Sequence, residues 1–115
     1  MLDEEVYPVC SPELLRRQGR LRKAKDLAKE TLIHDLSMDG HAGFPSWAAW
    51  LQRAGVTDAV TTRGMKINNS AAVLQAVIEG HGIALARSVM AHDDLAAGRL
   101  VRLFPEIAFA SALAY

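Results

Sequence analysis

The sequence of 115 residues predicts an α/β fold, a three-layer sandwich of about five mostly parallel strands with helices on both faces of the sheet. Two observations carry this prediction. Short apolar runs alternate along the chain with helical segments of about ten residues, which is the pattern of a parallel sheet covered on both sides. The chain also has no internal repeat, low-complexity tract or linker, so residues 1–115 are expected to form a single domain.

The amino-terminal half predicts two strands and three helices. The first helix follows Ser11, a favourable N-cap residue, and has Pro12 at its first position. The third helix lies in PSWAAWLQRAG, with Pro45 at its start and Gly55 at its end. The predicted elements are a strand at 6–10, a helix at 12–18, a helix at 24–30, a strand at 31–35 and a helix at 45–55.

The carboxyl-terminal half predicts four strands and two helices. Its first helix, SAAVLQAVIEG, is apolar around most of its circumference and should be buried on most sides. Gly98 ends the second helix. The predicted elements are a strand in RGMKIN, a helix at 70–80, a strand at 83–87, a helix at 89–98, a strand at 99–104 and a final strand in IAFASALAY.

The composition excludes several classes of protein. Thirteen basic and thirteen acidic residues give no net charge, so no whole-chain attraction to nucleic acid or to a membrane is expected. No apolar stretch reaches the roughly 18 residues of a membrane span, and the acidic MLDEEV is unlike a signal peptide. The single cysteine, Cys10, cannot form an internal disulfide. We therefore expect a soluble, cytoplasmic protein.

The turn before the helix at 70–80 is the first candidate site, and it carries Asn68, Asn69 and Ser70. Asn69 or Ser70 can accept hydrogen bonds from the unpaired N–H groups of the helix start, so capping alone would explain them. The turn also follows a parallel strand, and the carboxyl ends of such strands face the usual ligand crevice. A helix N-terminus there favours an anionic group such as a carboxylate. The residues leave both interpretations open.

A second strand end carries His34 and Asp35, which occupy the position equivalent to the turn at Asn68 and Asn69. Since the carboxyl ends of parallel strands lie at one edge of a sheet, the two sets of side chains are expected to share one crevice. The alternative is that His34 and Asp35 only satisfy the backbone of the loop that follows.

No pattern of metal ligation, cofactor binding or catalysis is present in the sequence. The four histidines lack HxxxH or HExxH spacing, and Cys10 has no CxxC partner. Gly80 and Gly82 follow a helix, whereas a dinucleotide site needs its glycines between the strand and the helix start. There is no GxSxG nucleophile elbow, and a lone cysteine beside a strand end is more often a small buried apolar residue. We predict no metal, no cofactor and no enzyme activity.

Two further features have an ordinary structural explanation beside a functional one. The segment RRQGRLRKAK, residues 16–25, concentrates basic side chains that could touch nucleic acid, but no interleaved aromatic residues accompany them and acidic residues flank them. A solvated helix surface is the favoured interpretation. Trp47 and Trp50 lie three positions apart and could stack on an aromatic ligand, although packing in or near the core is favoured.

Four segments together resemble one family, the LysR-type transcriptional regulators. These segments are EEVYPVCSPELL, PSWAAWLQRAGV, INNSAAVLQAVIEGHGIALARS and DDLAAGRLVRLFP, in this order and at similar spacing. The W-x-x-W-L helix and the stretch from Asn68 onward look most like the subgroup of the glycine-cleavage activator and the β-lactamase regulators. Each motif is weak alone, but the ordered series covers nearly all of the chain.

The resemblance implies a Rossmann-like subdomain of the kind found in periplasmic binding proteins. Such regulators have an amino-terminal winged helix-turn-helix and a two-subdomain effector module with a small ligand in the cleft between the subdomains. By this comparison residues 1–115 cover mainly the second subdomain and the two hinge-crossing segments, without the helix-turn-helix domain and most of the first subdomain. The turn at Ser70 and the strand end at His34 and Asp35 would face the effector.

The function expected from the resemblance is an effector-sensing domain of a transcription regulator. Its implied partners are a small-molecule effector, other copies of the chain and, only through the absent amino-terminal domain, DNA. A half-module is expected to expose apolar surface that favours self-association. Two other functions stay open: a free-standing small-ligand binding protein of the same fold, and an interaction module that disturbs the assembly of full-length regulators.

Overall fold

The structure is a computed structural model that describes residues 5–18, 23–27, 30–38, 44–56, 64–104 and 109–110. The strands are β1 (Glu5–Cys10), β2 (Leu32–Asp35), β3 (Met65–Ile67), β4 (Ile83–Arg87), β5 (Val101–Arg102) and β6 (Phe109–Ala110). The helices are α1 (Pro12–Gln18), α2 (Ala24–Leu27), α3 (Trp47–Arg53), α4 (Ser70–Ile78) and α5 (Ser88–Ala96). A short 3-10 turn, Leu36–Met38, follows β2 directly.

The strands form one sheet in the order β3-β2-β4-β1-β5, and β6 also pairs with β1. Strand β2 pairs in parallel with both β3 and β4. Strand β1 is antiparallel to β4, β5 and β6, so it alone among the described strands runs against the common direction. The mostly parallel sheet predicted from the sequence is confirmed, with β1 as a reversed interior strand between β4 and β5.

The alternation of side chains along β1 and β4 divides the core into two layers, one on each face of the sheet. Val6 and Cys10 of β1 pack with the helices α1, α2 and α3, among which Trp47 and Trp50 supply the largest side chains. On the opposite face, Tyr7 and Val9 pack with α4 and α5. Because neighbouring residues of a strand point to opposite faces, one buried strand contributes to both layers. The three-layer sandwich is therefore present as predicted.

Helix α1 begins at the residue predicted from the sequence, whereas helix α3 begins two residues later than predicted. Helix α1 begins at Pro12, and the Ser11 hydroxyl accepts the N–H of Leu14 at 3.0 Å. Helix α3 begins at Trp47 rather than at Pro45, because Ser46 has extended backbone angles and its hydroxyl accepts the N–H of Ala49. A serine side chain can satisfy an unpaired N–H at the helix start, and this places the boundary after Ser46.

Parts of the earlier predictions fall outside the described residues. These parts are both chain termini, most of the last predicted strand, the loop 39–43 and the middle of the basic segment, 19–22. Close to the two ends, Glu5 of β1 pairs with Ala110 of β6. Within the described ranges, no helix is long and apolar enough to cross a membrane.

Candidate functional site

The carboxyl ends of the three mutually parallel strands lie together at one edge of the sheet. Asp35 ends β2, Ile67 ends β3 and Arg87 ends β4. Asp35 and Ile67 are register partners, so the turn that follows β3 begins beside the Asp35 position. The two strand ends that the sequence analysis singled out therefore belong to one edge, as expected for neighbouring parallel strands.

Asn69 is the N-cap of α4. Its backbone is extended, with φ −169° and ψ 119°, and its side-chain oxygen accepts the N–H of Ala72 at 3.0 Å. Asn68 and Asn69 are both exposed. The capping interpretation of this turn therefore holds for Asn69, and the question of ligand contact is separate from it.

Ser70 does not cap the helix. Its hydroxyl donates a hydrogen bond to Oδ2 of Asp35, across from α4 to the end of β2. The other carboxylate oxygen, Oδ1, accepts the backbone N–H of Ser37 at 3.0 Å and the Ser37 hydroxyl. The two serine hydroxyls lie 3.2 Å apart, and each donates to a different oxygen of the carboxylate. Asp35 is partly buried, and this arrangement fixes its position at the sheet edge.

A cavity of about 140 Å³ opens beside Asp35 on the α3 side of the sheet. Its wall is mostly apolar, and its polar members are His34, Asp35 and Ser46. The apolar members are Ile33, Met38, Phe44, Pro45, Trp47 and Leu85. The Trp47 indole N–H donates to the Ile33 carbonyl at 3.1 Å, which fixes this large side chain in the wall.

A smaller hollow, of about 10 Å³, lies on the α4 side of Asp35 and is lined by Ser70, Arg87 and Met90 among others. It shares Asp35 with the larger cavity, together with Phe44 and Leu85. The Arg87 guanidinium is 3.1 Å from the sulfur of Met90. Its volume is about that of one water site, so it can extend the larger cavity but cannot hold a ligand by itself.

The structure brings three of the five predicted site residues together around these hollows. His34 and Asp35 line the larger one, and Asp35 and Ser70 line the smaller. Asn68 and Asn69 line neither, although they lie in the same turn as Ser70. The side chains that the sequence analysis missed are Ser37, Phe44 and Arg87. Only Arg87, the last residue of a predicted parallel strand, carried a signal that could have found it.

The ionisable groups of the core serve packing. Cys10 is fully buried, and burial raises the pKa of its thiol to about 11, with Glu30 acting in the same direction. Burial also raises the pKa of the Tyr7 hydroxyl; the Arg102 guanidinium, 4.1 Å from the ring centroid, opposes this and Glu5 adds to it. Within the described parts of the chain, no group of three or more His, Cys, Asp and Glu side chains could hold a metal ion.

Comparison with known proteins places this geometry in context. A family model described as the LysR substrate binding domain matches residues 1–115. The glycine cleavage system transcriptional activator of Escherichia coli K12 is 40% identical over 104 residues, which cover 90% of this chain and 32% of that protein. The HTH-type transcriptional activator AmpR of Citrobacter koseri is 36% identical over 104 residues, which cover 90% of this chain and 33% of the relative.

A solved structure agrees with the fold. The effector domain of the transcriptional regulator AmpR of Pseudomonas aeruginosa superposes with a TM-score of 0.72 at 26% identity, over 96% of this chain and 48% of that one. The chain spans about a third of the length of the curated relatives it matches, and these relatives are named as transcriptional activators rather than as enzymes. The resemblance inferred from the sequence motifs is confirmed.

Proposed function

Because this chain belongs to the LysR substrate-binding domain family, we propose that it forms one wall of the effector site of a transcription regulator. The observation that carries the proposal is the cavity of about 140 Å³ beside Asp35, at the carboxyl ends of the parallel strands. Ligands of open α/β sheets bind at this edge, and small-molecule sites combine apolar walls with a few convergent polar groups. Complete sites have about 300–1,000 Å³, so the cavity would hold part of an effector.

The five predicted site residues have different roles in this proposal. His34 and Asp35 supply polar groups in the cavity wall, and Ser70 positions the Asp35 carboxylate. Asn68 and Asn69 stay predicted ligand contacts, since their exposed side chains lie at the same edge, where the remainder of a larger effector would extend. We propose that the chain binds its ligand without transforming it.

We further propose that DNA is bound through a helix-turn-helix segment outside these 115 residues, as the name of the AmpR relative indicates for that protein. The balanced charge of the chain gives it no general attraction to DNA. Self-association is the second proposed interaction, and the edge strand β3, with Met65 and Lys66 exposed, is one described edge of the sheet that a second copy could pair with. These functions would operate in the cytoplasm, where bacterial DNA is found.

Two measurements test the proposal. In ¹H–¹⁵N spectra of the whole chain titrated with a panel of small metabolites, the resonances of Asp35 and the Trp47 indole should shift first, and those of the exposed Asp93 should not. Shifts confined to surfaces away from the cavity would count against an effector site there. The coding DNA on the amino-terminal side of residue 1 should encode a helix-turn-helix, and its absence would favour the free-standing binding protein instead.

A further inference from the structure

The charge of the cavity wall bears on which ligands it can accept. Its three described polar members are the carboxylate of Asp35, the imidazole of His34 and the hydroxyl of Ser46. Of the residues that the structure describes, no lysine or arginine lines the larger cavity, whereas Arg87 lines the smaller hollow that shares Asp35 with it. Among the described residues no cation lies within ion-pair distance of Asp35, whose partners are the hydroxyls of Ser37 and Ser70 and one backbone N–H.

The hydrogen bonds of Asp35 leave room for one more donor. An ionised carboxylate offers about four acceptor sites, and three are used by Ser37 and Ser70. All three donors belong to neutral groups, so they orient the carboxylate without neutralising it. A partly buried carboxylate whose described hydrogen-bond donors are all neutral is more stable with a cationic donor beside it than with an anion.

An anion at the amino terminus of α4 would therefore lie close to the Asp35 carboxylate and be repelled by it. Ser70 is the first residue of that helix, and its hydroxyl already donates to Asp35. The favourable effect of a helix N-terminus is worth about 0.3–1 kcal/mol at an exposed site, whereas a like charge in contact opposes it directly. Asn69 also uses its side chain to satisfy one of the free N–H groups of the helix. Beside Asp35 these contacts favour a cationic group, and the anionic ligand expected from the helix start stays a prediction for the exposed part of the turn.

The rest of the wall fits an apolar body of moderate size. Trp47, Phe44 and Met38 form its larger faces. A cavity of about 150 Å³ with apolar walls accepts a molecule of the size of benzene, so one of about 140 Å³ accepts a comparable group. We propose that this cavity binds the cationic end of a small primary amine, with the ammonium on Asp35 and an apolar chain of about four to six carbons against Trp47 and Phe44. The inference rests on the proposed effector site and adds the chemical class of the ligand.

Three probes of one shape test the charge preference: 3-methylbutylamine, 3-methylbutan-1-ol and 3-methylbutanoate. Each is titrated into the whole chain near pH 7, with the Trp47 indole N–H and the Asp35 amide as reporters. The amine should bind about tenfold more tightly than the alcohol, because a hydrogen bond between charged groups is stronger than one to a neutral donor, and the carboxylate should bind most weakly. This comparison needs no variant, so it does not depend on the folding of one.

Two variants test whether the Asp35 carboxylate causes the preference for the amine. Asp35→Asn keeps the shape of the side chain and removes its charge, and it should bring the amine within about twofold of the alcohol. Asp93→Asn removes one charge from an exposed position of α5 outside the cavity, and it should preserve the preference. Equal binding of amine and alcohol, tighter binding of the carboxylate, or an unchanged preference in Asp35→Asn would overturn the inference and leave the effector site standing. If none of the three probes shifts the reporters, the inference falls, and the metabolite titration described above decides the effector site separately.

Discussion

The hydroxyl of Ser70 joins the first turn of α4 to the carboxylate of Asp35 at the end of β2. This hydrogen bond connects two elements that are separated in the chain by α3 and β3, and it lies where the proposed ligand binds. The same contact therefore contributes to stability and to the geometry of the site.

Ser70→Ala should lower the free energy of unfolding by about 1–2 kcal/mol, because a partly buried carboxylate loses one of its donors. The loss should depend on Asp35. In the background of Asp35→Ala the same change should cost less by about 1 kcal/mol, as measured in a double-mutant cycle by denaturant unfolding. Additive losses in the cycle would show that the two side chains do not interact.

Asn69→Ala should lower stability by about 1 kcal/mol through loss of the α4 cap. Asn68→Ala is the matched control, since it removes the same amide from the adjacent exposed position, which does not cap, and should change stability by less than about 0.5 kcal/mol. Asn69→Ser should retain most of the stability, because serine also caps well. Thermal unfolding measures the stability of the three variants. Equal losses of stability in Asn69→Ala and Asn68→Ala would contradict the assignment of Asn69 as the cap.

Gly82→Ala should lower stability by about 3 kcal/mol or more, because an added Cβ would lie 2.4 Å from the carbonyl oxygen of Thr31. That carbonyl accepts the N–H of Ile83, so the methyl group would push apart the segments that lead into β2 and β4.

Gly98→Ala is the control for this prediction, as a Cβ there meets no atom within 4 Å and only the positive φ of 79° opposes it. It should cost about 1–2 kcal/mol. Comparable losses at the two positions in urea unfolding would mean that the close approach at Gly82 is not the dominant effect.

Alkaline solution should destabilise the fold through Cys10. Burial raises the pKa of this thiol from 9.0 to about 11, so the folded state holds the proton more tightly than the unfolded state. The resulting stability is complete below about pH 9 and is lost as the pH rises through 11, to an extent on the order of 2 kcal/mol.

Cys10→Ala should therefore show a shallower fall of stability between pH 9 and pH 11 than the unchanged chain, in urea unfolding at each pH. The stability of the Cys10→Ala variant should still fall to some extent over this pH range, because burial also raises the pKa of Tyr7. Parallel pH profiles of the two proteins would refute the role of the thiol. At neutral pH, alkylation of Cys10 should require unfolding.

The sequence analysis predicted the order and type of the elements well because they depend on local signals. Ser11, Pro12 and Gly98 mark element ends through backbone and capping chemistry that acts over a few residues. Pro45 is wrong as the predicted start of α3: the helix begins at Trp47, because the Ser46 side chain caps it.

The site was harder to predict because it is assembled from distant positions. The end of β2 at Asp35 and the turn between β3 and Ser70 could be placed at one edge by topology alone. That Asp35 is held by Ser37, and that Phe44 contributes to the cavity wall, depends on how the 3-10 turn and the segment before α3 pack. The proposed preference for a cationic ligand rests on these contacts, which no spacing in the sequence encodes.

The reversed strand β1 has a consequence for synthesis on the ribosome. It is translated before every other described strand, yet its main partner, β4, lies near the far end of the chain, and the hydrogen bond from Glu5 N–H to Ser88 spans 83 positions. At about 5–20 residues per second, β1 would wait roughly 4–17 s for that partner to be synthesised. During this interval Val6 and Val9, fully buried in the finished fold, lack their described partner strand β4. The nascent chain would present this apolar segment to chaperones until β4 leaves the exit tunnel.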